Sequence, residues 1–142
     1  MESIRIIGVG SYAPEKILTN FDLEKIVDTS DEWIVKRTGV RERRIAEPDM
    51  ATSDLAKEAS LKALDMAGLN PEELDLIILA TLTPDTCCPS GANWLQSKLG
   101  AKNAVSFDVT AACSGFIFGL SIAEQYLKTA NIKTPWLLHP RS

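Results

Sequence analysis

The chain has 142 residues, of which 45% are hydrophobic and 24% charged, and these proportions indicate one ordinary globular domain. Its formal net charge of −4 argues against a nucleic-acid partner, because such binding needs clustered positive charge. No apolar run is long enough to cross a bilayer, and the N-terminus lacks the layout of a signal peptide. Three cysteines and one histidine favour neither a disulfide framework nor a metal site, and we expect a cytoplasmic protein without a membrane partner.

The first thirty residues contain two weak patterns. Residues 4–9 read as a strand, and Gly8 and Gly10 permit close packing or a tight exit from it. Further along, Asn20 is expected to cap a short helix over residues 21–27.

A clearer helix follows. Ser30 is expected to cap its N-terminus, where acidic residues come first, and Gly39 to end it after two basic residues. Residues 40–45 alternate in charge, which predicts an exposed strand or the arm of a hairpin.

The most regular helix pattern begins near residue 53. Thr52 or Ser53 is expected to cap this helix and Gly68 to end it. Its predicted buried face comprises Leu55, Ala56, Ala59, Ala63, Leu64 and Ala67. A continuous apolar run over residues 74–82 then predicts a strand that is buried on both faces of a sheet.

The remaining elements repeat this order. A loop over residues 84–89 precedes a helix that begins at Ser90 and is closed by Gly100, and residues 105–109 alternate as a strand. The last helix has a broad apolar face comprising Phe116, Ile117, Leu120, Ile122, Ala123, Tyr126 and Leu127. Such alternation predicts an α/β fold with a mostly parallel sheet and helices on both of its faces.

A cysteine lies where the last strand gives way to the last helix. Cys113 is surrounded by the small residues Ala111, Ala112, Ser114 and Gly115, so that a sharp turn would lift its sulfur toward an acyl substrate. The N–H groups and dipole of a helix N-terminus favour an anion, and the thiolate is the reactive form of cysteine. The turn therefore indicates a nucleophile, while a buried packing role is the other interpretation, because free cysteine is among the most buried residue types.

The C-terminal residues do not continue the alternation. Pro135 and Pro140 bracket only four residues, and proline cannot donate to a central strand ladder. We therefore expect one domain over residues 1–131 and a tail over residues 132–142 that departs from it, with a non-native tail as one explanation.

Three motifs occur in order along the chain: IGVGSYAP at residues 7–14, TSDEWIVKRTGVRER at residues 29–43, and DVTAACSGF at residues 108–116. Together they resemble β-ketoacyl-acyl-carrier-protein synthase III, a condensing enzyme of the thiolase-like superfamily. The resemblance covers about residues 4–128. It implies the N-terminal half of a thiolase-like fold, with the C-terminal half absent.

The resemblance also implies an activity, the initiating condensation of bacterial fatty acid synthesis. Cys113 would accept an acyl group from acyl-CoA and pass it to the carbanion that malonyl-acyl-carrier protein forms on losing carbon dioxide. Its backbone N–H would be one oxyanion-hole donor. Acyl-CoA is a substrate here, so no cofactor is expected, and the family implies a homodimer.

The CoA-binding residues are likewise implied by the resemblance. Trp33 would stack on the CoA adenine, and Thr29 and Arg37 would contact the base or a phosphate, for which an aromatic face and a guanidinium are suited. Without the family, Trp33 would read as a core residue of a short helix and Arg37 as a charge at that helix's C-terminus.

Two positions bear on the limits of the resemblance. Cys88 occupies a loop position where family members often carry a phenylalanine that limits the partner subunit's acyl pocket, so one hypothesis is a roomier pocket and the other is a packed loop cysteine. The family's decarboxylation uses a His and an Asn from the second half of the fold. His139 lies in the tail and is not assigned that role.

Other interpretations remain open. The chain could be a related condensing enzyme of polyketide or signal biosynthesis, or a catalytically incomplete, non-enzymatic fragment that exposes an apolar face. A cysteine hydrolase also fits the small residues at Ala111 and Gly115 around the cysteine, but the sequence has no oxyanion loop of the His-Gly-Gly type upstream.

Overall fold

The computed structural model describes residues 4–129 and 134–138. The chain divides into a small unit, Ala13–Met50, and a sheet unit, which comprises Met1–Tyr12 and Ala51–Ser142. In the described part of the chain, no helix is both long and apolar enough to cross a membrane. His139 and Pro140 lie outside the described residues.

The small unit contains a two-stranded antiparallel ladder and two short helices. Strand β1 (Ile17–Thr19) pairs with β2 (Glu42–Arg44), and helices α1 (Asn20–Leu23) and α2 (Asp31–Thr38) lie between them in sequence. The prediction of a strand within residues 40–45 is confirmed.

The structure confirms the predicted boundaries of α2. They could be predicted because a cap and a stop depend on residues that are close in the sequence. The Trp33 N–H donates to Ser30 Oγ at 3.1 Å, which caps the helix. Gly39 ends the helix with a φ of 73°, a conformation that glycine adopts without a steric penalty.

The prediction for α1 is wrong in both its cap and its length. The helix ends at Leu23, and Thr19 rather than Asn20 is its cap, in a reciprocal box with Asp22. Hydrogen bonds from the Thr19 hydroxyl, from Lys25 and from the Thr19 N–H lower the pKa of Asp22 to about 2.

Asn20 is instead the buried polar centre of the small unit. Its Nδ2 donates to Asp31 Oδ1 and to the Val40 carbonyl oxygen, both at 2.8 Å, and its Oδ1 accepts from Arg43 Nη2 at 2.8 Å. A buried amide is tolerated when its donors and acceptor are satisfied, and here they join three separate segments.

The sheet unit is organised around a parallel three-stranded sheet of order β4-β3-β5. The central strand β3 (Leu76–Ala80) pairs in parallel with β4 (Val105–Val109) and with β5 (Pro135–Leu138). All five residues of β3 are buried, which confirms the strand predicted from the apolar run.

Helices cover both faces of this sheet, as predicted. Buried residues of α3 (Thr52–Ala67) and α4 (Gly91–Leu99) cluster with Ile77 and Leu79 of β3. On the opposite face, residues of α5 (Gly115–Thr129) pack with Leu76 and Ile78. Successive strand residues point to opposite faces, so β3 contributes to two separate cores.

The N-terminus of α3 differs from the prediction. Ala51 occupies the cap position, and its N–H donates to Asp54 Oδ2 at 3.0 Å. The Thr52 hydroxyl donates instead to the Thr83 carbonyl oxygen at 2.6 Å, and Ser53 is engaged by Asp85. The buried residues of α3 are Ser53, Ala56, Ser60, Ala63 and Leu64, so the predicted face is right only in part.

The strand predicted over residues 4–9 is wrong. None of these residues pairs with another strand of the described chain, and the Ile6 side chain is 73% exposed. The segment packs against α3 at its glycines, as expected of Gly10, where an added Cβ would lie 2.1 Å from the Ala59 carbonyl oxygen. Lys62 Nζ also donates to the Ser11 carbonyl oxygen at 2.9 Å.

The argument that prolines exclude a strand from the tail is also wrong. Pro135 is the first residue of β5, which lies at an edge of the described sheet, where a missing N–H is tolerated. The Asp75 N–H donates to the Thr134 carbonyl oxygen at 3.1 Å, and the Thr134 N–H donates to Asp75 Oδ2 at 3.1 Å. The domain boundary at residue 131 stays a prediction.

Candidate active site

Cys113 lies in a 3-10 turn, Ala112–Ser114, that joins β4 to the N-terminus of α5. The sequence predicted this position. The thiol is free and exposed in the sheet unit, so the interpretation of Cys113 as a buried packing residue is wrong.

The residue before the cysteine has an unusual backbone conformation. Ala112 has a φ of 46° and is the one residue other than glycine, among those described, with a positive φ. The Cβ of an L-residue crowds the backbone there, at a cost of about 1–2 kcal/mol. Backbone strain of this kind is found at functional sites, where the surrounding structure holds it in place.

Small residues let α5 approach the sheet beneath this turn. A Cβ added at Gly115 would lie 3.1 Å from the Ala80 Cβ, so α5 begins in close contact with β3. Its buried residues are Gly115, Gly119 and Ala123, which share one helical face.

The predicted apolar face of α5 is therefore partly wrong. Ile122 and Tyr126 do pack against the core, but Phe116 and Ile117 are exposed, the latter by 60%. Phe116 and Ile117 lie away from the sheet because Gly115, Gly119 and Ala123 occupy the face of α5 that contacts it.

Asp108 connects the strand before the turn to the N-terminus of α4. Its Oδ2 accepts from the Gly91 N–H at 2.9 Å and its Oδ1 from the Ala92 N–H at 2.7 Å. A carboxylate is favoured there by the helix dipole and by the unpaired N–H groups. The sequence marked Asp108 as an alternating polar residue of a strand and as the first residue of the motif at 108–116, but not as an anchor of α4, because its partners lie 16 and 17 residues away.

Asp85, which gave no usable sequence signal, anchors the loop before α4. Its carboxylate accepts from the Ser53 N–H at 2.9 Å and also from the Ser53 hydroxyl. Lys98 Nζ lies 3.8 Å from Asp85 Oδ2 and 2.6 Å from Asp54 Oδ1. This loop carries Cys88, which is exposed, so the interpretation of Cys88 as a packed residue is wrong.

The three residues predicted to contact CoA lie together in the small unit. Thr29 and Trp33 line an open hollow of about 400 Å³, together with Asp28 and Ser30. The Arg37 guanidinium carbon lies 4.6 Å from the centroid of the Trp33 ring, a cation–π contact. Trp33 is 54% exposed, so the core interpretation of this residue is wrong.

Arg37 combines two roles. It lies in the last turn of α2, where a positive charge is favoured by the helix dipole, and it also covers part of the indole. Among the described residues, no group of three or more His, Cys, Asp or Glu side chains is arranged to hold a metal ion.

The chain is similar to known condensing enzymes along almost all of its length. The family model described as 3-oxoacyl-[acyl-carrier-protein] synthase III matches residues 107–137, which include the Cys113 turn and the first three residues of β5. The β-ketoacyl-[acyl-carrier-protein] synthase III of Caldanaerobacter subterraneus is 64% identical over 124 residues, which cover 87% of this chain and 38% of the relative. That of Clostridium acetobutylicum is 57% identical over 134 residues, 94% of this chain and 41% of the relative.

Solved structures agree. The crystal structure of 3-oxoacyl-[acyl-carrier-protein] synthase III from Aquifex aeolicus matches with a TM-score of 0.89 and 54% identity, over 94% of this chain and 43% of that one. The priming β-ketosynthase of the R1128 polyketide pathway matches with a TM-score of 0.87 and 38% identity, over 95% of this chain and 41% of that one. The chain thus spans about two fifths of the length of the relatives it matches. Over the part of the relatives that it spans, the chain is homologous to β-ketoacyl-acyl-carrier-protein synthase III and shares its thiolase-like fold.

Proposed function

We propose that Cys113 is the acyl-accepting nucleophile of a condensing acyltransferase. The observation that carries this proposal is an exposed thiol in a strained turn of small residues at the N-terminus of α5. In the first half-reaction the thiolate attacks the thioester carbonyl of acyl-CoA. The carbonyl–sulfur bond to CoA breaks, the CoA thiolate leaves, and an acyl group remains on Cys113.

The backbone at the turn is the proposed source of charge stabilisation. Negative charge develops on the thioester oxygen during the attack, and the Cys113 N–H is one candidate donor to it. The conformation of Ala112 fixes the peptide that carries this N–H, so the strain there has a role in orienting the donor.

The CoA part of the donor is assigned to the small unit. Trp33 offers an exposed aromatic face to the adenine, Arg37 a guanidinium to a phosphate, and Thr29 a hydroxyl at the edge of the same hollow. These groups suit a purine nucleotide, because aromatic faces stack on bases and arginine matches phosphate geometry.

The second half-reaction is the condensation that initiates fatty acid synthesis. Malonyl-acyl-carrier protein would lose carbon dioxide, and the resulting carbanion would attack the carbonyl carbon of the acyl group on Cys113. A carbon–carbon bond would form, the carbonyl–sulfur bond would break, and Cys113 would leave as the thiolate. The resemblance places the decarboxylating His and Asn outside the segment that this chain matches, and His139 lies outside the described residues, so we assign no residue to decarboxylation. The homodimer is a proposal that rests on the resemblance, and the cytoplasmic location is one that rests on the resemblance and on the three free cysteines.

The test separates acylation from condensation. The chain is incubated with acetyl-CoA, and its mass is measured before and after peptide mapping. We expect one acetyl group on the peptide that contains Cys113, released CoA, and no adduct in Cys113→Ser. Acetylation elsewhere, or an equal adduct in Cys113→Ser, would sink the proposal.

The CoA assignment is tested by the concentration of acetyl-CoA that gives half-maximal acylation. Trp33→Ala and Arg37→Ala should each raise it, whereas Lys36→Ala, which removes an exposed charge from the same helical turn, should leave it nearly unchanged. Equal effects from Arg37→Ala and Lys36→Ala would indicate general charge attraction rather than a binding site.

A second candidate is a condensing enzyme of polyketide synthesis, favoured by the match to the R1128 priming ketosynthase. Primer choice distinguishes the two, and exposed Cys88 makes the comparison informative. In a complete enzyme that carries this segment, acylation rates with acetyl-CoA are compared with those for longer and branched acyl-CoAs. A clear preference for the larger primers would support the roomier pocket expected from Cys88, while acceptance of acetyl alone would refute it.

A simple ester serves as the hydrolase control, and turnover of that ester would favour the cysteine hydrolase.

A further inference from the structure

A pair of thiols lies outside the proposed catalytic turn and takes no part in the bond-forming and bond-breaking steps described above. Cys87 and Cys88 are consecutive, free and exposed. They lie in the loop between β3 and α4. Consecutive cysteines are poorly placed to form a disulfide with each other, because the bond has strict geometric requirements. Both sulfurs therefore remain available as ligands in a reducing environment.

Hydrogen bonds fix the loop on both sides of this pair. Thr86 Oγ1 donates to the Pro89 carbonyl oxygen at 2.6 Å, which ties together the residues that flank the two cysteines. Trp94 Nε1 donates to Thr86 Oγ1 at 2.9 Å and so attaches the turn to α4. The preceding residue, Asp85, is held by Ser53 of α3. The body of the unit thus presents the two thiols on a short, anchored turn.

Two anchored sulfurs select a particular class of ligand. Thiolates are soft ligands that prefer soft, thiophilic centres to hard cations. A structural zinc site needs four ligands, and no group of three or more suitable side chains exists in the described part of the chain. A ligand atom that binds only two sulfurs does not need the third and fourth protein ligands of a zinc site. Once one cysteine has bound it, the second binds intramolecularly.

We propose that Cys87 and Cys88 form a dithiol site for a soft thiophilic ligand of the trivalent arsenic class. The reaction of the probe phenylarsine oxide with the pair needs no oxidant or reductant. Two arsenic–sulfur bonds form, the arsenic–oxygen bond and two S–H bonds break, and the oxygen leaves as water with both thiol protons. Arsenic stays trivalent throughout. The site does not include Cys113, so its test can fail without affecting the acylation proposed for Cys113.

The experiment uses the whole chain in the Cys113→Ser background, so that only the pair carries thiols. The protein is mixed with one equivalent of phenylarsine oxide in excess 2-mercaptoethanol, and its intact mass is measured. We expect a single phenylarsenic adduct that persists against the monothiol and is removed by 2,3-dimercaptopropanol. Adding Cys87→Ser or Cys88→Ser should weaken the apparent affinity at least about 100-fold, as expected when an intramolecular second contact is lost.

Both serine variants keep the size and exposure of the side chain, and far-ultraviolet circular dichroism checks that each retains the fold. An adduct that survives either single substitution would overturn the proposal. So would its absence from the Cys113→Ser chain together with its presence in the unsubstituted chain, because Cys113 would then be one of the ligands.

Discussion

The small unit and the sheet unit are stabilised in different ways. In the small unit, Asn20 and Ile34 are the buried residues among those described, and the segments are joined by caps and by the hydrogen bonds of Asn20. In the sheet unit, every residue of β3 is buried between two apolar clusters. The comparison shows that the residues proposed to bind CoA lie in a unit held by polar contacts, whereas the proposed nucleophile lies in a unit held by close apolar packing.

This difference has a consequence for motion. Regions with little apolar burial open locally at lower free energy than core strands do. The residues proposed to hold CoA therefore lie on the unit that adapts more readily, and Cys113 follows a strand of the more rigid one. This difference in local stability suits the proposed reaction, in which acyl-CoA must enter and CoA must leave while the Cys113 thiol stays in one position.

The largest expected effect tests the apolar side of the comparison. Leu79→Ala should lower the free energy of unfolding by about 2–5 kcal/mol, because Leu79 of β3 is fully buried in the cluster with α3 and α4 and its truncation leaves a cavity. Urea unfolding followed by circular dichroism measures it. Leu61→Ala, which truncates an exposed leucine of α3, is the control, and an equal loss in both would contradict the packing argument.

A smaller loss tests the polar side. Asn20→Ala should cost about 1–3 kcal/mol, because the Asp31 carboxylate, the Val40 carbonyl and the Arg43 guanidinium lose a buried partner. Hydrogen exchange should accelerate most within the small unit. The control is Asn103→Ala, whose exposed side chain donates to a single carbonyl, that of Glu72. Uniform acceleration over the whole chain would show that the small unit does not depend on this network.

The third prediction concerns the strained turn. Ala112→Gly removes the Cβ penalty at positive φ, and we expect a net stabilisation of no more than about 1 kcal/mol, since glycine also adds entropy to the unfolded chain. Acylation of Cys113 should slow, because the turn becomes less constrained. Thermal unfolding and the rate of acetylation are the readouts. Ala111→Gly, at a φ of −133°, should destabilise instead, and a gain from that control would remove strain as the explanation.

The smallest effect depends on pH. The Lys98 ammonium donates to Asp54 at 2.6 Å and, with the Ala51 N–H, lowers the pKa of that carboxyl. The side chains of Lys98 and Asp54 are 28% and 35% exposed, so Asp54→Asn should cost no more than about 1 kcal/mol at neutral pH. Because the folded state holds this proton less tightly than the unfolded state, the stabilisation is present above the ordinary pKa of aspartate. It is lost as the pH falls through the lowered folded-state value.

Urea unfolding at neutral and acidic pH checks this dependence. The difference between the parent and Asp54→Asn should shrink on acidification, whereas Asp65→Asn, at an exposed position of the same helix, should behave like the parent at both pH values. A difference that grows in acid would mean that the carboxylate acts in the opposite direction.

Much of the fold could be predicted because its signals are local. The cap at Ser30, the stop at Gly39 and the apolar run of β3 depend on residues within a few positions of one another. The same is true of Cys113, since the change from strand to helix and the small neighbours are contiguous in the sequence. The grouping of Trp33 and Arg37 follows from their spacing of one helical turn.

The errors share the opposite property. The sequence offered Thr52 and Ser53 as caps, but their hydroxyls bond to Thr83 and Asp85, about thirty residues away. Nothing near Asn20 signals that it will be buried against Val40 and Arg43. A strand that begins at Pro135 is compatible with proline because β5 lies at an edge of the described sheet, and the local sequence does not reveal that position.

The sequence by itself determined the order of helices and strands from α3 to α5, the α/β class and the position of the proposed nucleophile. These follow from side-chain periodicity and from caps, which act between residues that are neighbours along the chain. The tertiary structure alone decided the sheet partners, the buried face of α5 and the polar anchors Asn20, Asp85 and Asp108. Each of these features depends on which distant segment packs against it. Strand pairing and close packing are contacts between segments that are far apart in the sequence, so the local sequence does not specify them.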